Sequence, residues 1–278
     1  MIKESKISKQ FSAKTIPVDK LENTKVSIIM TAHNCANDVL KSIDSILNQH
    51  HLNFELIIIN DASSDNTLEV LKGCKQKDKR IRIITTTENY GTYVCKNYGM
   101  KVSTGDYFIF HDAGDWCEPT YILEALIPLL LDNTLEISMC HHRRIYPHHE
   151  DKSVCYVSMC FSRRVFEEMG YFDSVRFAAD GEMRRRITSC YGKTPFINNK
   201  ILYNAPFDEG SLSGNSKTRW GSKSRQDYVE FIDERIQKMA AGEEDYYFPF
   251  PLNFEKTYQG DNIRVGKKVR LKTFSEVL

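Results

Sequence analysis

Short apolar runs alternate four times with segments of helical spacing in the first 115 residues, and that rhythm constrains the fold more than any single motif. The runs are Val26–Met30, Phe54–Ile59, Ile81–Ile84 and Tyr107–Phe110. They are continuous rather than alternating, as in strands buried on both faces. Between them, Val39, Leu40, Ile43, Ile46 and Leu47 recur at helical spacing over Asn37–Gln49. Leu68, Val70 and Leu71 mark a second helix, with Asp65 as its expected N-cap, and Tyr93–Val102 reads as a third. The pattern predicts an α/β fold, an open and mostly parallel sheet flanked by helices. Ligands of such sheets bind outside the carboxyl ends of the strands. The polar loops 31–34, 60–65 and 112–116 all follow strand ends, so they are expected to converge on one edge.

The second half is less regular. Leu135–Cys140 and Val154–Phe161 read as strands. Ser162–Met169 reads as a helix stopped by Gly170, and Asp180–Cys190 and Asp227–Met239 read as two more. Residues 1–24 form a polar, lysine-rich arm, 25–240 the domain, and 241–278 an aromatic and then basic tail expected to pack on the domain or on a partner.

Composition narrows the class. Hydrophobic residues make up 41% of the 278, enough for a sizeable core. A net charge of +1 gives no electrostatic reason to expect a nucleic-acid partner. The eight cysteines form no CxxC pair and no signal-like segment opens the chain, so reduced thiols and a cytoplasmic location are expected. The longest apolar stretch, Ile122–Leu131, is broken by Glu124 and Pro128 and falls short of the roughly 20 residues of a spanning helix. At most a peripheral contact at the inner membrane face is expected.

The loop after the fourth run, FHDAGDW, holds Asp112 and Asp115 with Gly114 between them. Carboxylates at a strand end suit a hard divalent cation. Adjacent histidines on a strand point to opposite faces, so His141-His142 and His148-His149 each offer one ligand per side, and no cysteine stands at a finger-like spacing; they read as a polar loop near an acceptor.

Five stretches, in order, resemble family 2 glycosyltransferases of the GT-A fold: Val26–Asn34, IIINDASSD (57–65), NYGTYVCKNYG (89–99), GDYFIFHDAGDW (105–116) and GYFDSVRFAADGE (170–182). The resemblance covers roughly residues 25–215, with bacterial capsule and lipopolysaccharide enzymes as the nearest subgroup. It implies a Rossmann-like nucleotide-sugar half at 25–118 and an acceptor half at 119–240. It also implies an inverting transfer from a nucleotide sugar, expected to be a UDP-sugar, to a hydroxyl of a glycan or glycolipid.

By the same resemblance Asp61 accepts from the nucleotide base, with Thr31 and Asn34 lining the pocket. An ionised carboxylate only accepts, and a uracil N3–H only donates. The alternative for Asp61 is a turn with Ser63. Lys96 stands where relatives often carry an arginine near the diphosphate or ribose; the alternative is a surface lysine. Asp112 and Asp115 would hold the ribose and a Mn²⁺ or Mg²⁺ ion, with ligation altered because Gly114 replaces an acid, and His111 would stand beside the ion. Asp180 matches the base that deprotonates the acceptor, with Glu182 in reserve; both also suit a helix N-terminus. Asp173 is expected to be structural. Lys217 and Arg219, in a polar loop after the base helix, would neutralise the leaving diphosphate. The rival readings are a non-catalytic binding or scaffolding subunit of polysaccharide synthesis and, more weakly, a nucleotidyltransferase.

Overall fold

The structure, a computed structural model, describes residues 16–207, 214, 221–251 and 271–277. Four parallel strands, β1 (Val26–Ala32), β2 (Phe54–Asn60), β3 (Ile81–Thr86) and β4 (Tyr107–Asp112), form its first half. They alternate with α2 (Val39–Leu47), α3 (Thr67–Lys77) and α4 (Thr92–Val102), after a short α1 (Val18–Asn23). Nearly every position of β1 and β2 is buried. Alternate residues feed two separate cores. Ile29, Ile57, Phe108 and Phe110 pack on one face of the sheet. Ile28, Met30, Leu56, Ile58 and Ile109 pack on the other. The continuous apolar runs are the sequence trace of a sheet covered on both sides.

The chain then adds β5 (Trp116–Cys117), α5 (Tyr121–Leu131), β6 (Ile137–Ile145), β7 (Glu150–Ser162), α6 (Arg163–Met169), α7 (Ala179–Tyr191), β8 (Phe196–Pro206), α8 (Lys223–Ala240) and β9 (Phe274–Glu276). Among the described residues, nine strands form one sheet in the order β5-β8-β6-β7-β4-β1-β2-β3-β9. The parallel half is as expected. Beyond β4 the sheet turns mixed, because β7 pairs antiparallel with β4 and with β6, while β6 and β8 run parallel.

Several local expectations are corrected. Helix α3 starts at Thr67, two residues after Asp65, whose Oδ1 accepts from the Thr67 N–H at 3.0 Å; Asp65 restrains the turn without being the N-cap. His141–Arg144 lie in β6 and not in a loop, paired with β7 on one side and β8 on the other. The tail contributes β9, which pairs antiparallel with the edge strand β3.

The segment between α6 and α7 is fixed by buried polar groups. Asn97, on α4, donates to the Phe172 carbonyl and accepts from the Phe172 N–H, both at 2.9 Å. Asp173 is fully buried and accepts from the Tyr228 hydroxyl of α8 at 3.1 Å. Burial, with the nearby charge of Glu182, pushes its carboxyl up to about 7. An unfolded aspartate titrates near about 4. The folded state therefore holds this proton more tightly, so the contribution is full below about pH 4 and is lost as pH rises to about 7. Asp173→Asn removes that penalty. It should gain stability relative to the parent chain as pH rises from about 4 to about 8, read by urea denaturation across that range.

Candidate active site

The order of the sheet sets the location. From β1 the chain moves outward through β2 to β3, then returns to lay β4 on the other side of β1. The crevice between the carboxyl ends of β1 and β4 is a topological switch point, where open sheets bind ligands. Thr31 and Asp112 face each other there as register partners.

Around the crevice, each loop is tied to the next. Thr31 Oγ1 is hydrogen-bonded to Thr92 Oγ1 at 2.8 Å, which joins the end of β1 to the first turn of α4. Asn34 joins the first two loops: its N–H donates to Ser63 Oγ at 3.0 Å and its Oδ1 accepts from the Ser64 N–H at 2.8 Å. The residues other than glycine with positive φ among the described residues are Asn34, Ala62 and Ala178, at 50°, 52° and 69°. All three lie on loops of this edge. Left-handed backbone in such residues costs free energy, and it clusters where a site imposes it.

Asp61 is buried beneath the crevice. Its Oδ1 accepts from the Tyr90 N–H at 2.8 Å and from Thr86 Oγ1 at 3.2 Å, and its Oδ2 accepts from the Gly91 N–H at 2.7 Å. It thus shapes the loop that starts α4, a longer-range contact than a turn with Ser63. The Cys95 thiol, in the first turn of α4, is hydrogen-bonded to Asp61 as well.

Lys96 is not a surface lysine. Its side chain is 3% exposed, and its ammonium sits 2.8 Å from Asp112 Oδ1. Asp112, by contrast, is 41% exposed and opens to the crevice. The Asp112 N–H donates to the Tyr203 hydroxyl oxygen at 3.0 Å. Tyr203, on β8, also hydrogen-bonds the Asp115 carboxyl, which burial and the charge of Asp112 push well above the ordinary carboxylate range. His111 lies fully buried beneath this loop, its Nδ1–H donating to the Asp112 carbonyl at 3.0 Å, and burial pushes it down to about 4.

These contacts do not assemble the metal site that the resemblance implies. Of the acids in the loop, Asp112 is paired with Lys96 and Asp115 is engaged by Tyr203; Gly114, at φ 104°, offers no donor. Among the described residues no three histidines, cysteines or acids are placed to hold an ion. A hard cation on a nucleotide diphosphate takes one or two carboxylates, with phosphate oxygens and water completing its shell; the exposed carboxylate of this loop, Asp112, already has a cation in Lys96.

Asp180 and Glu182, two residues apart on the first turn of α7, have different surroundings. Asp180 is half-buried, accepts from the Gly181 N–H at 2.8 Å, and is hydrogen-bonded to the Tyr93 hydroxyl. Glu182 points into the core, where its carboxylate meets the buried Arg186 guanidinium at 2.5 Å. Arg186 also donates to the carbonyls of Met169, Tyr171 and Tyr246. Glu182 is therefore held in the core, which removes it as the reserve base. Lys217 and Arg219 lie outside the described residues.

Tyr93, Tyr203, Arg144 and Arg225 belong to the site although sequence reasoning did not single them out. The charges of Asp180 and Asp112 both act on Tyr93. Tyr93, Lys96 and Asn97 share one face of α4 by their three- and four-residue spacing, the one signal that could have found Tyr93. Arg225, at the start of α8, feels Tyr93, Asp180 and Arg144, and Arg144 of β6 acts on Asp115.

Residues 27–215 match glycosyl transferase family 2, and the chain belongs to that family. Glycosyltransferase GlyA of Streptococcus pneumoniae is 26% identical over 253 residues, 79% of this chain and 35% of that protein. Chondroitin synthase of Pasteurella multocida is 35% identical over 122 residues, 44% of this chain and 12% of that one. The chain spans less than half the length of the curated relatives it matches. Two solved structures share the GT-A fold. S. aureus TarS 1-349 in complex with UDP-GlcNAc superposes with TM-score 0.61 at 16% identity, covering 79% of this chain and 66% of that one. The mannosyltransferase PcManGT from Pyrobaculum calidifontis, in complex with GDP-Man and Mn²⁺, gives 0.58 at 14%, covering 80% and 73%. No helix among the described residues is long and apolar enough to cross a membrane.

The two acids of α7 should separate experimentally. Glu182→Ala leaves a buried guanidinium unpaired and should lower stability by about 3–5 kcal/mol. Asp180→Asn should change it by less than about 1 kcal/mol. Urea denaturation of the two variants checks this.

Proposed function

We propose that this chain is an inverting glycosyltransferase that moves a sugar from a nucleotide donor, a UDP-sugar, to a hydroxyl of a glycan or glycolipid. The observation that carries the reading is the set of contacts from Asp61 through the α4 loop to Tyr93, with the Lys96–Asp112 pair on one side and Asp180 on the other, around a switch-point crevice. The donors in the two solved relatives, UDP-GlcNAc and GDP-Man, support a nucleotide sugar.

In this reading the base of the nucleotide lies over the Asn34 and Asp61 loops. Asp61 Oδ2 accepts from the base N3–H while holding the Gly91 N–H. Thr31 lines the same pocket. Asp112 accepts from ribose hydroxyls. The acceptor hydroxyl attacks the anomeric carbon from the face opposite the nucleotide. The new C–O bond forms as the bond to the diphosphate oxygen breaks, and the electron pair leaves with the nucleoside diphosphate. Asp180 takes the proton of the acceptor hydroxyl. Its bond from Tyr93 orients the carboxylate, and the Gly181 N–H holds one of its oxygens. Arg219 and Lys217 would cover the departing diphosphate. The resemblance of its motifs to capsule and lipopolysaccharide enzymes supports a role in bacterial polysaccharide synthesis, on the cytoplasmic side of the membrane.

The second reading, a non-catalytic binding subunit, is motivated by Gly114 and by a lysine, Lys96, where relatives often carry an arginine. Nucleoside diphosphate release from UDP-GlcNAc, UDP-glucose and GDP-mannose, with oligosaccharide acceptors, separates the two. Asp180→Asn should slow turnover by about 10²- to 10⁴-fold while donor affinity stays within about threefold of the parent. A variant that kept most of its rate would remove Asp180 from the mechanism. Binding without turnover on any donor would favour the binding subunit.

A further inference from the structure

We infer that the Lys96–Asp112 ion pair takes the place of an acid–metal pair, so that the nucleotide diphosphate binds in the crevice without a divalent cation. The inference rests on the nucleotide-sugar reading above. It begins from a disagreement: a structural relative was solved with Mn²⁺, yet the loop of this chain presents no comparable set of donors. Gly114 carries no side chain, Asp115 is bonded to Tyr203, and Asp112 is paired.

Burying an ammonium is unfavourable unless a partner compensates it. Lys96 is nearly fully buried, and Asp112 supplies that compensation. The pair has a direction. The ammonium approaches Asp112 from the α4 side, and the exposed side of the carboxylate faces the crevice. An unpaired Asp112 there would repel a diphosphate, and a bound divalent ion would cancel the repulsion. The Lys96 ammonium cancels it from behind, which leaves the outer carboxylate oxygen free to accept from a ribose hydroxyl. A lysine is suited to this, since it acts as a compact charge on a flexible stem with three donors.

Positive charge for the diphosphate would come from the chain's own guanidiniums. Arg225 and Arg144 act on each other across the site and on Asp180 and Asp115 respectively. The open space around Gly114, with nothing within 4 Å of where a Cβ would stand, leaves room for the diphosphate where an acid side chain would otherwise project.

The test is calorimetric titration of UDP into the full chain, in EDTA and in Mn²⁺, for the parent, Lys96→Met and Lys96→Arg, each checked for folding by circular dichroism. The parent should bind UDP with affinities within about threefold in the two conditions. Lys96→Met, of similar length and without charge, should lose about tenfold or more in EDTA. It should regain most of that loss in Mn²⁺, because Asp112 is then free to hold an ion. Lys96→Arg should remain indifferent to metal. A parent chain that binds UDP tightly in Mn²⁺ and at least about tenfold more weakly in EDTA would overturn the inference and leave the nucleotide-sugar reading intact. Lys96→Met binding like the parent in both conditions would also overturn it. Failure to bind UDP or GDP in either condition would remove the nucleotide-sugar reading, and this inference with it.

Discussion

The constraint on which the rest of the structure depends is the position of β1. It is laid down first and then flanked on both sides, by β2 going outward and by β4 on return. The loops after β1, β2 and β4 and the first turn of α4 must then meet at one end of the sheet. The site is a consequence of chain direction before it is a consequence of any particular side chain. The left-handed residues on its rim, Asn34, Ala62 and Ala178, are tolerated because the two apolar cores hold the strands beneath them.

Given that frame, buried polar groups decide what each acid does. Asp61, Asp173, Asp180 and Glu182 are chemically near-equivalent, yet they have separate fates. Asp61 shapes a backbone loop, Asp173 shares a proton-rich contact with Tyr228, and Glu182 neutralises Arg186. Asp180 alone of these four keeps a half-buried face beside the cleft. The buried Arg186 matters indirectly, because it gathers the carbonyls at 169, 171 and 246 and so fixes the segment that presents α7.

Where local periodicity carries the information, the sequence could be read. The first four strands are buried on both faces, so their apolar runs are unbroken, and the polar loops at their ends were visible as punctuation. The region of the site followed from that order. The second half was harder because its strands pair across long separations and carry mixed residues. Strand β8, FINNKILYNAP, has no clean period, and β6 runs on through two histidines and two arginines because neighbours on both sides complete its hydrogen bonds. The partner of Lys96 lies 16 residues away on a different element, and Tyr203 reaches Asp112 across 91. No local pattern encodes such pairings. The fate of Glu182 was hidden for the same reason, since two residues of sequence separate it from Asp180 but half a turn of helix sends it into the core.

One contact at the far edge of the sheet connects the end of the described chain to the Asp61 side of the crevice. Phe274 of β9 stacks on Tyr90 with ring centres 5.6 Å apart and on Tyr98 at 4.1 Å, and Thr273 donates to the Tyr90 hydroxyl. Tyr90 is the residue whose N–H Asp61 holds. Docking of β9 and ordering of the Asp61 loop are therefore thermodynamically linked. By whatever factor a docked β9 raises the affinity of a ligand at the Asp61 loop, that ligand favours the docked strand by the same factor. A segment nearly 190 residues downstream of β3 in the chain thus belongs to the free-energy landscape of a pocket whose walls it does not form.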